Sequence, residues 1–219
     1  MIRCLGVLVA VTLIGCATMS GAASLPSGDT RSWATYRVEV GDQVVQFTIP
    51  PGESPDWPAF VIPQRIDLER QGTFDRANVG PELLARFWDY RTSRFAQVDG
   101  TLRAYILLWQ SEKALDSAAA LQAAVDENAK LSRIKDVMQG GSGGPPDAMQ
   151  FESAVVAGRA GLLVHHQTSP AHYAVSLDTH HYLTIYVSGS SITRPGWRED
   201  ARAAADAILH SIRIEPTKR

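Results

Sequence analysis

Cysteine occurs only twice in the 219 residues, at positions 4 and 16. Everything after residue 16 therefore lacks a thiol for a disulfide, a thiolate metal site or a cysteine nucleophile. Neither sign of charge dominates: 21 Lys and Arg stand against 23 Asp and Glu, a net charge of −2. No cluster of Lys and Arg stands out along the chain, which excludes the footprint of a nucleic-acid binder. Long hydrophobic runs are missing too, since the longest, residues 5–14, is too short to span a bilayer. Such a chain must rely on its packed core, and a hydrophobic content of 45% is enough to build one.

What is there begins at the N-terminus. Arg3, the apolar run of residues 5–14 and the small residue Gly15 have the order of a secretory signal. The tetrapeptide Leu13-Ile14-Gly15-Cys16 resembles the lipobox of bacterial lipoproteins. That resemblance implies cleavage before Cys16, a diacylglyceryl group on its sulfur and acylation of the new amino terminus. Several acyl chains at one terminus satisfy the two-signal requirement for stable anchoring. Ala17-Thr18 follow instead of an aspartate, which in that family, in a host with two membranes, implies delivery to the outer membrane, facing the periplasm. Loss of residues 1–15 leaves 204 residues and a net charge of −3.

Residues 17–32 are small and polar, so 16–32 is expected to be a flexible tether and 33–219 a single domain. Tyr36, Val38 and Val40 alternate with polar neighbours, Gly41-Asp42 turns, and Val45, Phe47 and Ile49 alternate again. This is a β-hairpin, ended by Pro50-Pro51-Gly52. A short strand is expected over 65–69. Pro81 ahead of Leu83, Leu84, Phe87 and Trp88 predicts a short amphipathic helix. Asp99-Gly100 between 95–98 and 102–109 predicts a second hairpin. Ala114, Ala118, Leu121 and Val125 stripe a helix over 113–130, with its extension towards Met138 left open and the glycines of 140–146 as its breaker. Four consecutive strands are expected over 151–156, 160–166, 171–177 and 181–187. A helix from residue 195 carries Ala201, Ala204, Ala205, Ile208 and Leu209 at helical spacing. Hairpins rather than βαβ crossovers define an α+β fold, an antiparallel β-sheet with flanking helices.

Three phrases add a second resemblance. They are Phe47-Thr48-Ile49-Pro50-Pro51-Gly52, Val155-Val156-Ala157-Gly158-Arg159-Ala160, and the closing Ile208-Leu209-His210-Ser211-Ile212. Over roughly residues 35–215 the chain resembles the PsbP-like superfamily. This implies an α/β/α sandwich used mostly as a binding or accessory module, and it carries no catalytic residue to transfer.

Three groups of residues are candidates for chemistry. Gly140-Gly141-Ser142-Gly143-Gly144 fits the nucleophile-elbow pattern, but a helix precedes it and Pro145-Pro146 follow, whereas the elbow needs a strand before and a helix after. Five of the six histidines lie between 165 and 181. His165, His166, His180 and His181, with Asp178, are candidate ligands for zinc, copper or nickel if the strand ends meet at one end of the sheet. The competing reading is solvated or hydrogen-bonded strand-end imidazoles. Trp57, in Pro55-Asp56-Trp57-Pro58, is a candidate exposed anchor for a partner on a proline-stiffened loop, with a cap on one end of the sheet as the competing reading. The expectation is a non-enzymatic, lipid-anchored binding or accessory protein without a cofactor. It contacts the membrane through its N-terminal lipid and another envelope protein through its domain, and an immunity protein against a periplasmic toxin is one specific form. The alternative is a metal-binding envelope protein using the histidine cluster.

The lipobox makes the first testable claim. Cys16→Ser should abolish incorporation of a fatty-acid analogue and leave precursor or soluble protein; undiminished labelling would place the anchor elsewhere.

Overall fold

Alternating β-branched and aromatic residues open the fold with a hairpin, β1 (Ala34–Val40) and β2 (Gln43–Ile49). Gly41 makes the turn with φ +58°, in the left-handed region. The register sets Tyr36 opposite Phe47 and Val38 opposite Val45. The computed structural model describes residues 28–54, 60–91, 96–141, 148–167, 170–194 and 196–217. Around the hairpin a four-stranded sheet forms. β3 (Arg65–Ile66) pairs parallel with β1, and β10 (Arg213–Pro216) pairs antiparallel with β2. This sheet is separate from the main one, where a single antiparallel sheet was expected.

The second sheet has six antiparallel strands: β4 (Val79–Tyr90), β5 (Gly100–Gln110), β6 (Gln150–Val156), β7 (Arg159–His165), β8 (His172–Ser176) and β9 (His181–Ser191). Their spatial order is β4-β5-β9-β8-β7-β6. The last four are the strands expected from the sequence, with β9 running on to Ser191. Residues 83–88 are a correction, being strand rather than helix. A bulge at Glu82 brings Leu83 and Leu84 together into the core, and nearly the whole of β4 pairs with β5. Six residues are too few for periodicity to separate the two states, and pairing across the sheet decides. The second expected hairpin is also corrected. Residues 96–98 are not strand, β5 starts at Gly100 and its hairpin partner is β4. Asp99 is buried there, and its carboxylate accepts a 2.9 Å hydrogen bond from the Thr193 hydroxyl.

Helix α1 spans Ala118–Met138. It starts later than the alanine stripe suggested because the Ser117 side chain accepts from the Ala120 amide at 3.1 Å, a helix N-cap. Gly140, at φ +87°, follows its C-terminus. Helix α2 (Trp197–Ser211) buries Ala201, Ala204, Ala205 and Ile208, as its spacing predicts.

Two cores result. The larger lies between the two sheets and α2, joining Val38, Val45, Phe47 and Ile49 to Leu102, Ile106, Leu183, Ile185 and Ile208. The smaller lies under α1, where Leu121 and Val125 meet Leu162, Val164, Ala174 and Tyr182. Arg159 ties the sheets together. Its guanidinium donates to the Leu177 carbonyl at 3.1 Å, to Gln43 Oε1 at 2.8 Å and to the Ile214 carbonyl at 3.3 Å. Among the described residues no helix is long and apolar enough to cross a membrane.

Glycine at 189 permits the α2 contact. A Cβ there would stand 2.0 Å from the Ala201 carbonyl oxygen, so β9 and the helix backbone approach as only glycine allows. Gly189→Ala should cost about 1–3 kcal/mol through overpacking and lower the melting temperature by several degrees. Gly196→Ala, whose Cβ would meet nothing within 4 Å, is the control expected to melt as wild type.

Candidate functional site

A buried amide decides which part of the second sheet stays open. Asn128, 3% exposed, donates to the Gln110 carbonyl at 2.8 Å and to the Tyr182 hydroxyl at 3.0 Å. Its own oxygen accepts from Asn78 Nδ2 at 3.2 Å. These bonds hold α1 over one half of the sheet face. Trp109 closes that half, stacked 6.1 Å from Tyr182 and donating from Nε1 to Thr184 Oγ1 at 2.8 Å.

The other half of the same face carries a row of aromatic rings. Tyr105 lies directly opposite Tyr186, with centroids 6.1 Å apart, and Phe87 meets Tyr105 edge-on at 5.1 Å. The Arg103 guanidinium sits 5.5 Å over the Phe87 ring. All three rings are half-buried, and none belongs to either packed core. Burial pushes the Tyr105 hydroxyl above its ordinary pKa; Arg103 opposes this while Glu82 and Tyr186 add to it. The surface is aromatic and edged by a cation, a composition suited to binding.

The structure corrects the expected convergence of the histidines. A meander reverses at every turn, so the β7–β8 and β8–β9 connections lie at opposite ends of the sheet. About five residues of β8, roughly 17 Å of strand, separate His165 and His166 from His180 and His181. Among the described residues no three His, Cys, Asp or Glu side chains gather where a metal could bind. His165 lies 3.4 Å from the exposed Glu152. At the far end, Asp178 organises the β8–β9 turn. It accepts from the His180 amide at 2.7 Å, the His181 amide at 2.8 Å and His181 Nδ1 at 2.9 Å. The His181 ring stacks 5.3 Å from Phe74.

Only His166 and His172 come together, with Nε2 of the first 2.9 Å from Nδ1 of the second and ring centroids 4.9 Å apart. Burial, and then the neighbouring imidazole, hold His172 down at a pKa of about 4. Cys16, Trp57 and Ser142 lie outside the described residues. A cleft of about 760 Å³ lies elsewhere, beside β3, and includes the exposed Arg65 and Arg70.

The aromatic row was not recognised in the sequence. Tyr182, Thr184 and Tyr186 share a face by alternation, as do Arg103, Tyr105, Leu107 and Trp109. Their meeting depends on β5 and β9 being neighbours, and no local signal encodes that. In comparisons with protein-family models, curated proteins and solved structures, nothing matches this chain.

The Asp178 turn yields a pH prediction. Burial alone would raise its carboxyl, but the His181 side chain and the His180 and His181 amides outweigh it and hold the folded pKa below the ordinary carboxylate value. The stabilisation is therefore complete above the unfolded value, about pH 4, and is lost as the pH falls through the folded one. Asp178→Asn should cost about 1–2 kcal/mol at neutral pH, and the gap from wild type should narrow as the pH falls below about 4. Denaturant melts along that series check it; a constant gap would mean the carboxylate's charge is not involved.

Proposed function

We propose that this chain is a lipid-anchored protein of the cell envelope, facing the periplasm from the outer membrane, that acts as a binding or accessory module. The observation that carries the binding role is the row Phe87, Tyr105, Tyr186 with Arg103, left outside both cores on a sheet face that α1 covers only in part. Rigid aromatics and arginine dominate binding energy at protein interfaces because they bury large areas at small entropic cost. The partner is another envelope protein, and neutralisation of a toxin arriving in the periplasm is one form of the role. Anchoring rests on the lipobox around Cys16. Trp57 adds a second anchor by the argument from its proline-flanked loop. The PsbP-like relation rests on the sequence phrases, supported at the level of architecture by a sheet with a helix on each face.

The test is site-specific cross-linking in intact envelopes. A photoactivatable residue at 105 or 186 should give the same protein adduct, and one at Glu39, on the other sheet, should give none. Tyr105→Ala with Tyr186→Ala should weaken capture of that partner at least tenfold, since a hot-spot ring is worth about 2 kcal/mol, while a cooperative thermal melt shows that the variant still folds. Absence of an adduct from both positions would refute the assignment of this face.

A further inference from the structure

We infer that His166 and His172 form the core of a copper site at the β7–β8 end of the second sheet, a pair that joins one of the four histidines singled out in the sequence to a fifth. The two nitrogens face each other directly, His166 Nε2 to His172 Nδ1 at 2.9 Å. Two imidazoles in neighbouring positions of a square plane, each about 2.0 Å from the metal, stand about 2.8 Å apart. Tetrahedral ligands at the same bond length stand about 3.3 Å apart. The observed spacing is that of a hydrogen bond aimed along the line between the nitrogens, so binding turns each ring by about 45° until both lone pairs meet one ion, and Cu(II) is the first-row ion that combines square-planar geometry with the highest affinity for imidazole. Binding needs no net gain or loss of protons. The proton now shared between the rings moves to the other nitrogen of the ring that carries it, and each ring then offers one lone pair as a neutral ligand.

The surroundings suit the same ion. Gln150 and His165 are the last pair of β6 and β7, so Met149 and His166 follow directly beyond the two strand ends, and Met149 packs against the smaller core. A thioether there is a soft donor of the kind that holds copper after reduction to Cu(I). Continuing past Tyr173 and Ile185 sets His172 opposite Tyr186, so the site adjoins the aromatic row. This inference does not depend on the binding role proposed for that row, because it is read by metal affinity alone.

The experiment uses the full chain without an affinity tag, with Cys4→Ser and Cys16→Ser so that no thiol competes. Cu(II) titration at neutral pH, followed by calorimetry and electron paramagnetic resonance, should show one ion bound with a Kd below about 10 µM and hyperfine coupling to two imidazole nitrogens. His166→Ala and the more conservative His166→Gln should each lose at least tenfold in affinity, with folding followed by thermal melts so that either variant suffices. His165→Ala, on the opposite face of the strand, should bind as the parent does. Zn(II) should bind at least tenfold more weakly than Cu(II). No binding tighter than 10 µM, a signal without nitrogen coupling, tighter binding of Zn(II), or folded His166 variants with unchanged affinity would each overturn the proposal.

Discussion

The position of α1 depends on one buried amide. Asn128 uses both ends of its side chain, donating to a β5 carbonyl and to the Tyr182 hydroxyl and accepting from Asn78. A helix held by apolar contacts alone can slide over a sheet at small cost, because hydrophobic attraction has no direction. A buried amide cannot, since displacement would leave polar groups unpaired at about 1–3 kcal/mol each. The helix therefore crosses the sheet at one place, and what it leaves bare follows from that. Tyr182 shows the same constraint from below. Burial holds its hydroxyl well above the ordinary phenol pKa, so it stays a neutral hydrogen-bonding partner for Asn128.

The opposite face of the sheet is closed much more fully. Helix α2 and the hairpin sheet share it, with the helix backbone pressed against β9 at Gly189 and Tyr90 meeting Trp197 edge-on at 6.3 Å. Between the sheets, Arg86 pairs with Glu53 at 2.7 Å and lies over the Tyr36 ring at 5.5 Å. An ion pair this shielded adds little net stability, yet breaking it would strand a charge, so it favours one alignment of the two sheets over others. One face is thus fixed by close contact, and the other is only partly covered. The aromatic row and the histidine pair both fall on the partly covered face.

Much of this was legible in the sequence, for reasons that can be named. The first hairpin was readable because alternation and the Gly41-Asp42 turn are local, and so were the four strands from residue 150 to residue 191. Helix α2 was readable because five apolar residues share one stripe. The β4 segment was not, since Pro81, Leu84, Phe87 and Trp88 satisfy a helical pattern as well as a strand pattern. Only the partner strand β5 distinguishes them. The histidines were misjudged for a topological reason: nearness in sequence across two turns of a meander means opposite ends in space. His172, not among the four candidate ligands, is the one that meets His166. The aromatic row needed the order β4-β5-β9, in which β9 enters from some seventy residues away.

The pairing of β10 with β2 bears on how the chain acquires its structure. Residues 213–216 zip onto residues 43–46, and Arg159 bridges that junction to the larger sheet. The first sheet thus waits for a segment made some 170 residues after its hairpin, and such distant contacts slow folding because the loop between them must close first. During synthesis the hairpin can form early, but the β10 side of β2 stays unpaired until residue 216 has emerged. A late-closing chain of this kind keeps one long edge of its first sheet unpaired for most of its synthesis, until the final strand locks onto it.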